Sequence, residues 1–297
     1  MRSIRIAAVS MNGRLGEPER VLAEIADWCA RAEQESAELV LFPELVIHGH
    51  CTPNTYQLAE AVPEGPTVRR LEAIARAHGQ VIAAGLSEKE HDIVYNTVVL
   101  VGPHGYIGKQ RKLHMSRDEA FYYKGGRDIE IFDIGSCRVA VVICYDNNFP
   151  EVARIAALRG AEVILMPHAG RFEKWEDGSP SETAARQQTR YIFMGYSQRA
   201  RENACFAIVT DQVGRAGFVD EYPADHPNQP DHAGSALVFG PSGELLAATQ
   251  DQRIREEMIV TTLDSAAIDR ARASSGYTLR NRRPELFADL VTDPLSR

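Results

Sequence analysis

The run AELVLFPEL at 37–45 returns as AEVILMPHA at 161–169, and NTVVLVGPHGYI at 96–107 returns as SALVFGPSGELL at 235–246. Around these echoes, strand-like runs at 4–10, 37–43, 81–87 and 94–101 alternate with helical apolar spacing near 17–34 and 66–78. The rhythm repeats as a strand at 137–144, a helix at 150–159, a strand at 161–166, a helix near 181–202 and strands at 205–211 and 234–240. Alternating strands and helices make an α/β protein whose helices cover a sheet. Buried strands also resemble one another by chance, so the shared order carries the inference more than the matched letters. The halves interleave too closely to fold apart. The expectation is α/β: two mixed sheets face to face with helices outside, a four-layer α-β-β-α sandwich forming one domain over 1–276. Residues 277–297 read as a polar, proline-punctuated tail that runs over the surface or across a partner subunit.

Composition narrows the function. With 33 Lys and Arg against 41 Asp and Glu the formal charge is -8, and basic residues do not cluster with aromatics, so nucleic acid is not the expected partner. The opening apolar run is too short for a secretory leader and no segment reaches membrane-spanning length, which predicts a cytoplasmic protein with no membrane role. Cysteines at 29, 51, 137, 144 and 205 form neither CxxC pairs nor a dense disulfide pattern. A glycine-rich phosphate loop is missing too, and no cofactor is expected.

One cysteine stands apart. In VVICYDNNFPEVARIAALRG, Cys144 ends an apolar run and precedes a polar turn, with Pro150 opening a helix whose apolar positions are Val152, Ile155, Ala156 and Leu158. Ligands collect at such strand ends, where amides of the following turn favour a thiolate or an oxyanion. Glu44 occupies the same place after the strand at 37–43, Lys112 follows a hairpin-like GPHGYIG, and Glu119 precedes three aromatic residues. Singly, each reads as a surface charge. Together they divide the work of acyl transfer: a thiol needs a base, a developing oxyanion needs a cation, and that cation needs a carboxylate to hold it.

The segments LFPEL, RKLH and ICYDNNFPE, with RARENACF, GSALVFGPSGELL and SGYTLRNRRPELF in the same order, resemble the carbon-nitrogen hydrolase (nitrilase) superfamily over nearly the whole chain. The resemblance implies the same sandwich, paired into homodimers or higher homo-oligomers. It casts Glu44 as general base, Lys112 as oxyanion stabiliser, Cys144 as nucleophile and Glu119 as supporting acid, with the Tyr145 amide helping to bind the oxyanion. The implied substrate is a small amide or N-carbamoyl (ureido) compound, with a nitrile or a catalytically silent binding member as rivals. Asp146 stands where nitrile-converting members carry glutamate. Asn147 and Asn148 replace the paired arginines of D-amino-acid carbamoylases, so a carboxylate on the substrate would need Arg171, Arg186 or Arg190. Lys124 replaces a proline before the glycine, a change at the pocket rim.

Four further expectations remain. HGHC at 48–51 offers metal ligands, but they are too close together to complete a tetrahedral site, and no metal is expected. His168 occupies in the second half the place of Glu44 in the first, which suggests substrate contact, as does Asn148 in the turn. The 181–202 helix, with Tyr191, Phe193 and Met194, is expected at a dimer interface. Loops at 170–180 and 213–232 have no counterpart in the first half and read as lids or interaction segments.

Overall fold

The structure, a computed structural model, describes residues 1–50, 52, 54–172, 194–216, 229–249 and 255–292. The first half runs β1 (Ile4–Ser10), α1 (Pro18–Gln34), β2 (Leu39–Leu41), α2 (Thr55–Leu58), α3 (Pro66–His78), β3 (Val81–Glu90), β4 (Ile93–Gly102) and β5 (Gly105–Arg111). The second runs β6 (Phe132–Asp133), β7 (Arg138–Val141), α4 (Pro150–Leu158), β8 (Val163–His168), β9 (Arg171–Phe172), α5 (194–203), β10 (Phe206–Arg215), β11 (Asp231–Phe239) and β12 (Leu245–Ala248). β13 (Glu257–Leu263) and α6 (Ser265–Ala273) follow.

Two mixed sheets result, ordered β13-β1-β2-β3-β4-β5 and β12-β11-β10-β8-β7-β6, with β9 joined to β11. Their facing surfaces share one core, in which Ile6, Leu41 and Leu100 of the first sheet meet Val141, Leu165, Phe206 and Val238 of the second. Outside the first sheet, α1 buries Val21, Leu22, Ile25 and Cys29, and α3 buries Val68, Leu71 and Ala75, against Val40, Phe42 and Ile82. Both helices open on a proline, which suits a first turn with no hydrogen bond to lose. α3 stops at Gly79, whose φ of 65° reaches the left-handed cap that a side chain resists. Outside the second sheet, Val152 and Ala153 of α4 and Tyr196 and Ala200 of α5 pack on Val142, Ile164 and Val209. The four-layer α-β-β-α sandwich is as expected.

Several boundaries differ. The strand expected at 137–144 is β7 plus a 3-10 turn, Cys144–Asn148, so Cys144 stands beyond the sheet. On α4, Ile155 and Leu158 are exposed, and Val152 with three alanines, Ala153, Ala156 and Ala157, forms the buried face. The expected 213–232 loop is shorter, since β10 extends to Arg215 and β11 begins at Asp231; residues 217–228 lie outside the described residues. So do 173–180 of the earlier loop, and Arg186, Arg190, Tyr191 and Phe193 of the expected long helix. β13 was not anticipated; it pairs antiparallel with β1 and returns the chain to the first sheet. From 277 the chain forms short 3-10 turns, tied to the body by Thr278 Oγ1 donating to the Glu202 carbonyl. Among the described residues no helix is long and apolar enough to cross a membrane.

Candidate active site

Glu44 follows β2, where the chain leaves the sheet through Leu45 at a left-handed φ of 48°. The turn lies directly on β3 because residue 85 is glycine: a Cβ there would come 2.8 Å from the Glu44 carbonyl carbon. Gln212 Nε2 holds the Glu44 carbonyl oxygen at 2.7 Å from the opposite sheet. Lys112 follows β5, its N–H donating to the Asn96 carbonyl. Glu119 sits in a 3-10 turn capped by Ser116, whose N–H and Oγ both donate to Glu119 Oε2, at 2.8 and 2.5 Å.

These three side chains converge with no exposed surface. Lys112 Nζ donates to Glu44 Oε1 at 2.7 Å and to Glu119 Oε1 and Oε2 at 2.6 and 2.7 Å. Asn96 Nδ2 also donates to Glu44 Oε1, at 2.7 Å, while Glu44 Oε2 has no hydrogen-bond partner among the described residues. Burial favours a neutral lysine, but Glu44, Cys144 and Glu119 overcome it and hold the ammonium well above its ordinary range. Burial also works against a charged Glu119, yet His50 and Lys112 keep that carboxylate well below the usual range.

Cys144 retains partial exposure and adopts a φ of 46°, an unusual backbone for a side chain with a Cβ and a form of strain found at functional turns. Burial, then the charge of Glu44, pushes its thiol well above the ordinary range, with Lys112 and the Ala169 N–H pulling the other way. Asp146 fastens this turn to the lysine loop. Its carboxylate accepts from the N–H groups of Leu113 and His114, at 3.0 and 2.8 Å, and meets His114 Nδ1 at 2.8 Å. Asn147 Nδ2 donates to the carbonyls of Val142 and Cys144. Both residues flagged in the sequence as possible substrate markers are therefore buried braces of the turn.

The structure thus brings together Glu44, Lys112, Glu119 and Cys144. Tyr145 is partly exposed with its ring edge-on to Phe149. Asn148 is exposed at the far end of the turn. His168 is buried, stacked on Tyr196 at 4.9 Å, and kept neutral by burial and then the Lys112 charge, which lower its pKa to about 3. Lys124 donates its N–H to the Val94 carbonyl, a bond proline cannot make, and its side chain faces an outer groove beside Glu90 and Tyr95.

The histidines of HGHC diverge. His48 accepts from the Ser87 N–H and faces Glu60, whereas His50 Nε2 lies 3.3 Å from Glu119 Oε1; Cys51 lies outside the described residues. Glu44, His50 and Glu119 come close enough to ligate a cation, and Lys112 Nζ is the cation the two carboxylates hold. Asn96 and Ser116 escaped the sequence reading. Asn96 opens the NTVVL echo, its one available signal.

A family model described as carbon-nitrogen hydrolase matches residues 5–273, and the chain belongs to that family. It is 30% identical to a protein named nitrilase from Pyrococcus abyssi, over 98% of this chain and 97% of the relative. It is also 30% identical to an N-carbamoylputrescine amidase from Solanum lycopersicum, over 88% of this chain and 86% of the relative. The crystal structure of a carbon-nitrogen hydrolase from Helicobacter pylori G27 superposes with a TM-score of 0.85 at 23% identity, covering 98% of this chain and 99% of the other.

Proposed function

We propose that this chain is a thiol amidohydrolase that cleaves a non-peptide C–N bond of a small amide or N-carbamoyl compound and releases ammonia. The observation that carries the reading is Glu44: one oxygen is occupied by Lys112 and Asn96, and the other has no partner among the described residues and is available to a proton, in the same cluster as the partly exposed Cys144. With its thiol pushed up, Cys144 keeps its proton at rest, and Glu44 takes it as sulfur bonds to the carbonyl carbon. The carbonyl π electrons move to oxygen, held by Lys112 and the Tyr145 N–H. Collapse breaks the C–N bond, and ammonia leaves with the proton from Glu44. Water, deprotonated by Glu44, then cleaves the thioester and restores the thiol. Glu119 keeps Lys112 charged and aimed, and no cofactor enters these steps.

Asn148 and His168 are proposed substrate contacts, the second because its buried Nε2 has no partner among the described residues. His168→Ala leaving both kinetic constants unchanged would overturn that role. The relative named for N-carbamoylputrescine supports the ureido class. A second reading, addition of the same thiolate to a nitrile, is supported by the relative named nitrilase. A homodimer is proposed from exposed Ile155, Leu158 and Met194 on the outer helices; a monomer at micromolar concentration by light scattering would refute it. Ammonia release from amides, N-carbamoyl amines, N-carbamoyl amino acids and nitriles, with Cys144→Ala alongside, tests the function. Release from amide or ureido compounds that vanishes in the variant supports it. Nitrile turnover exceeding amide turnover favours the second reading, and release surviving in the variant sinks the thiol mechanism.

A further inference from the structure

β8 and β10 run in parallel register as far as His168 opposite Asp211. There β8 ends, and the next N–H, that of Ala169, favours ionisation of the Cys144 thiol. Side chains hold the backbone that the ladder no longer holds. Asp211 Oδ1 accepts from the Gly170 N–H at 2.9 Å, and His232 Nδ1 lies 3.2 Å from the Gly170 carbonyl oxygen. A carbonyl oxygen can only accept, so His232 carries its proton on Nδ1. Both residues are fully buried. Their own positions are fixed by pairing: His232 lies opposite Gly214 of β10 and opposite Arg171 of β9, and the Asp211 carbonyl accepts from Ser10 Oγ.

We propose that Asp211 and His232 are positioning residues that grip Gly170 from its two sides and thereby aim the Ala169 N–H at the Cys144 sulfur, stabilising its thiolate. This rests on Cys144 being the nucleophile. The charged groups facing that sulfur are Glu44 and Glu119, which oppose its ionisation, and Lys112, which favours it. Another carboxylate nearby would oppose it further. Burial pushes Asp211 up to about 8, so at neutral pH it is mostly an uncharged acid that still offers Gly170 an acceptor. Burial, then the neighbouring His50, lowers His232 to about 3, which keeps it neutral as well.

The test is site-resolved alkylation of Cys144 by iodoacetamide in the full chain, from about pH 7 to about pH 11, read by peptide mass spectrometry. Asp211→Ala and His232→Phe are expected to move the Cys144 titration up by about one pH unit, seen as about tenfold slower alkylation at neutral pH. Asp211→Asn keeps the acceptor and His232→Asn keeps a donor near Nδ1, so both should follow the wild-type profile. Variants that unfold at lower denaturant but leave the profile unmoved would reduce the pair to a packing role and overturn the proposal. If Asp211→Ala does not fold, His232→Phe decides by the same criterion. A wild-type Cys144 inert at every pH would refute the nucleophile and the grip with it; a reactive Cys144 with unmoved variants refutes the grip alone.

Discussion

Lys112 Nζ and Glu44 Oε1 lie 2.7 Å apart with both side chains wholly buried, so neither charge has water to fall back on. Their joint environment includes a second buried carboxylate, Glu119, and a thiol pushed upward by burial. Removing the lysine leaves two carboxylates facing each other in a poorly solvated space. Lys112→Met should therefore lower stability by about 3–5 kcal/mol in urea titration and reduce ammonia release by ~100-fold or more. Adding Glu119→Gln should recover part of the stability and none of the activity. Recovery of activity would show that the lysine only balances charge.

Gly85 gives Glu44 its seat. With a Cβ at residue 85 overlapping the backbone of Pro43, Glu44 and Leu45, Gly85→Ala must push that turn off β3. We expect a loss of about 1–3 kcal/mol from overpacking, with a larger fractional loss in kcat than in substrate affinity. Thermal unfolding and steady-state kinetics measure the two effects separately. Unchanged kcat in a folded variant would show that the Glu44 turn adapts.

Asp146 joins the Cys144 turn to the backbone after Lys112. Asp146→Ala leaves two partly buried N–H groups without their acceptor and should cost about 1–3 kcal/mol. Asp146→Glu adds one methylene to a buried brace, which should separate Cys144 from Lys112 and reduce amide turnover. A glutamate variant that instead gained nitrile turnover would make the acid at 146 a specificity switch.

Three buried groups set a stability profile in pH. His168 and His232 have native values near 3 against an ordinary 6.5, so the unfolded chain binds more protons and their contribution is lost as pH falls from about 6.5 toward 3. Asp211 has a native value of about 8 against an ordinary 3.8; its contribution is complete below the unfolded value and is lost as pH rises toward 8. Two histidines outweigh one acid below about 6.5, and the acid acts alone above it. Stability by denaturant titration should therefore peak near pH 6.5 and then decline by at most about 1.4 kcal/mol per pH unit up to about pH 8. Asp211→Asn should remove the decline above the peak and keep the acid limb. A decline that persists in this variant would mean that Asp211 is not its source.

The alternation of strand and helix was legible because buried strands and amphipathic helices leave different periods, and α3 was bounded by its own proline and glycine. Glu44, Lys112, Glu119 and Cys144 were legible as a candidate set, three of them just past the end of a strand. The left-handed turn at Cys144 was not, because cysteine has no preference for that backbone. β13 escaped because only Ile259 and Leu263 in EMIVTTL are fully buried, too weak an alternation to mark an edge strand. Asn96, Asp211 and His232 were hidden for another reason. They lie inside strands, where a polar residue looks like an interruption until a neighbouring loop or turn supplies its partner.

The return of β13 to β1 also imposes an order of assembly. While the chain is being made, β1 waits with one edge open until residues 257–263 emerge, and Glu44 and Lys112 are synthesised before Cys144, Asp211 and His232. Contacts this distant in sequence close slowly, because the intervening loop must first lose its freedom. The cluster of Glu44, Lys112 and Cys144 is therefore built from segments some hundred residues apart, and it exists only once both halves of the chain have been made.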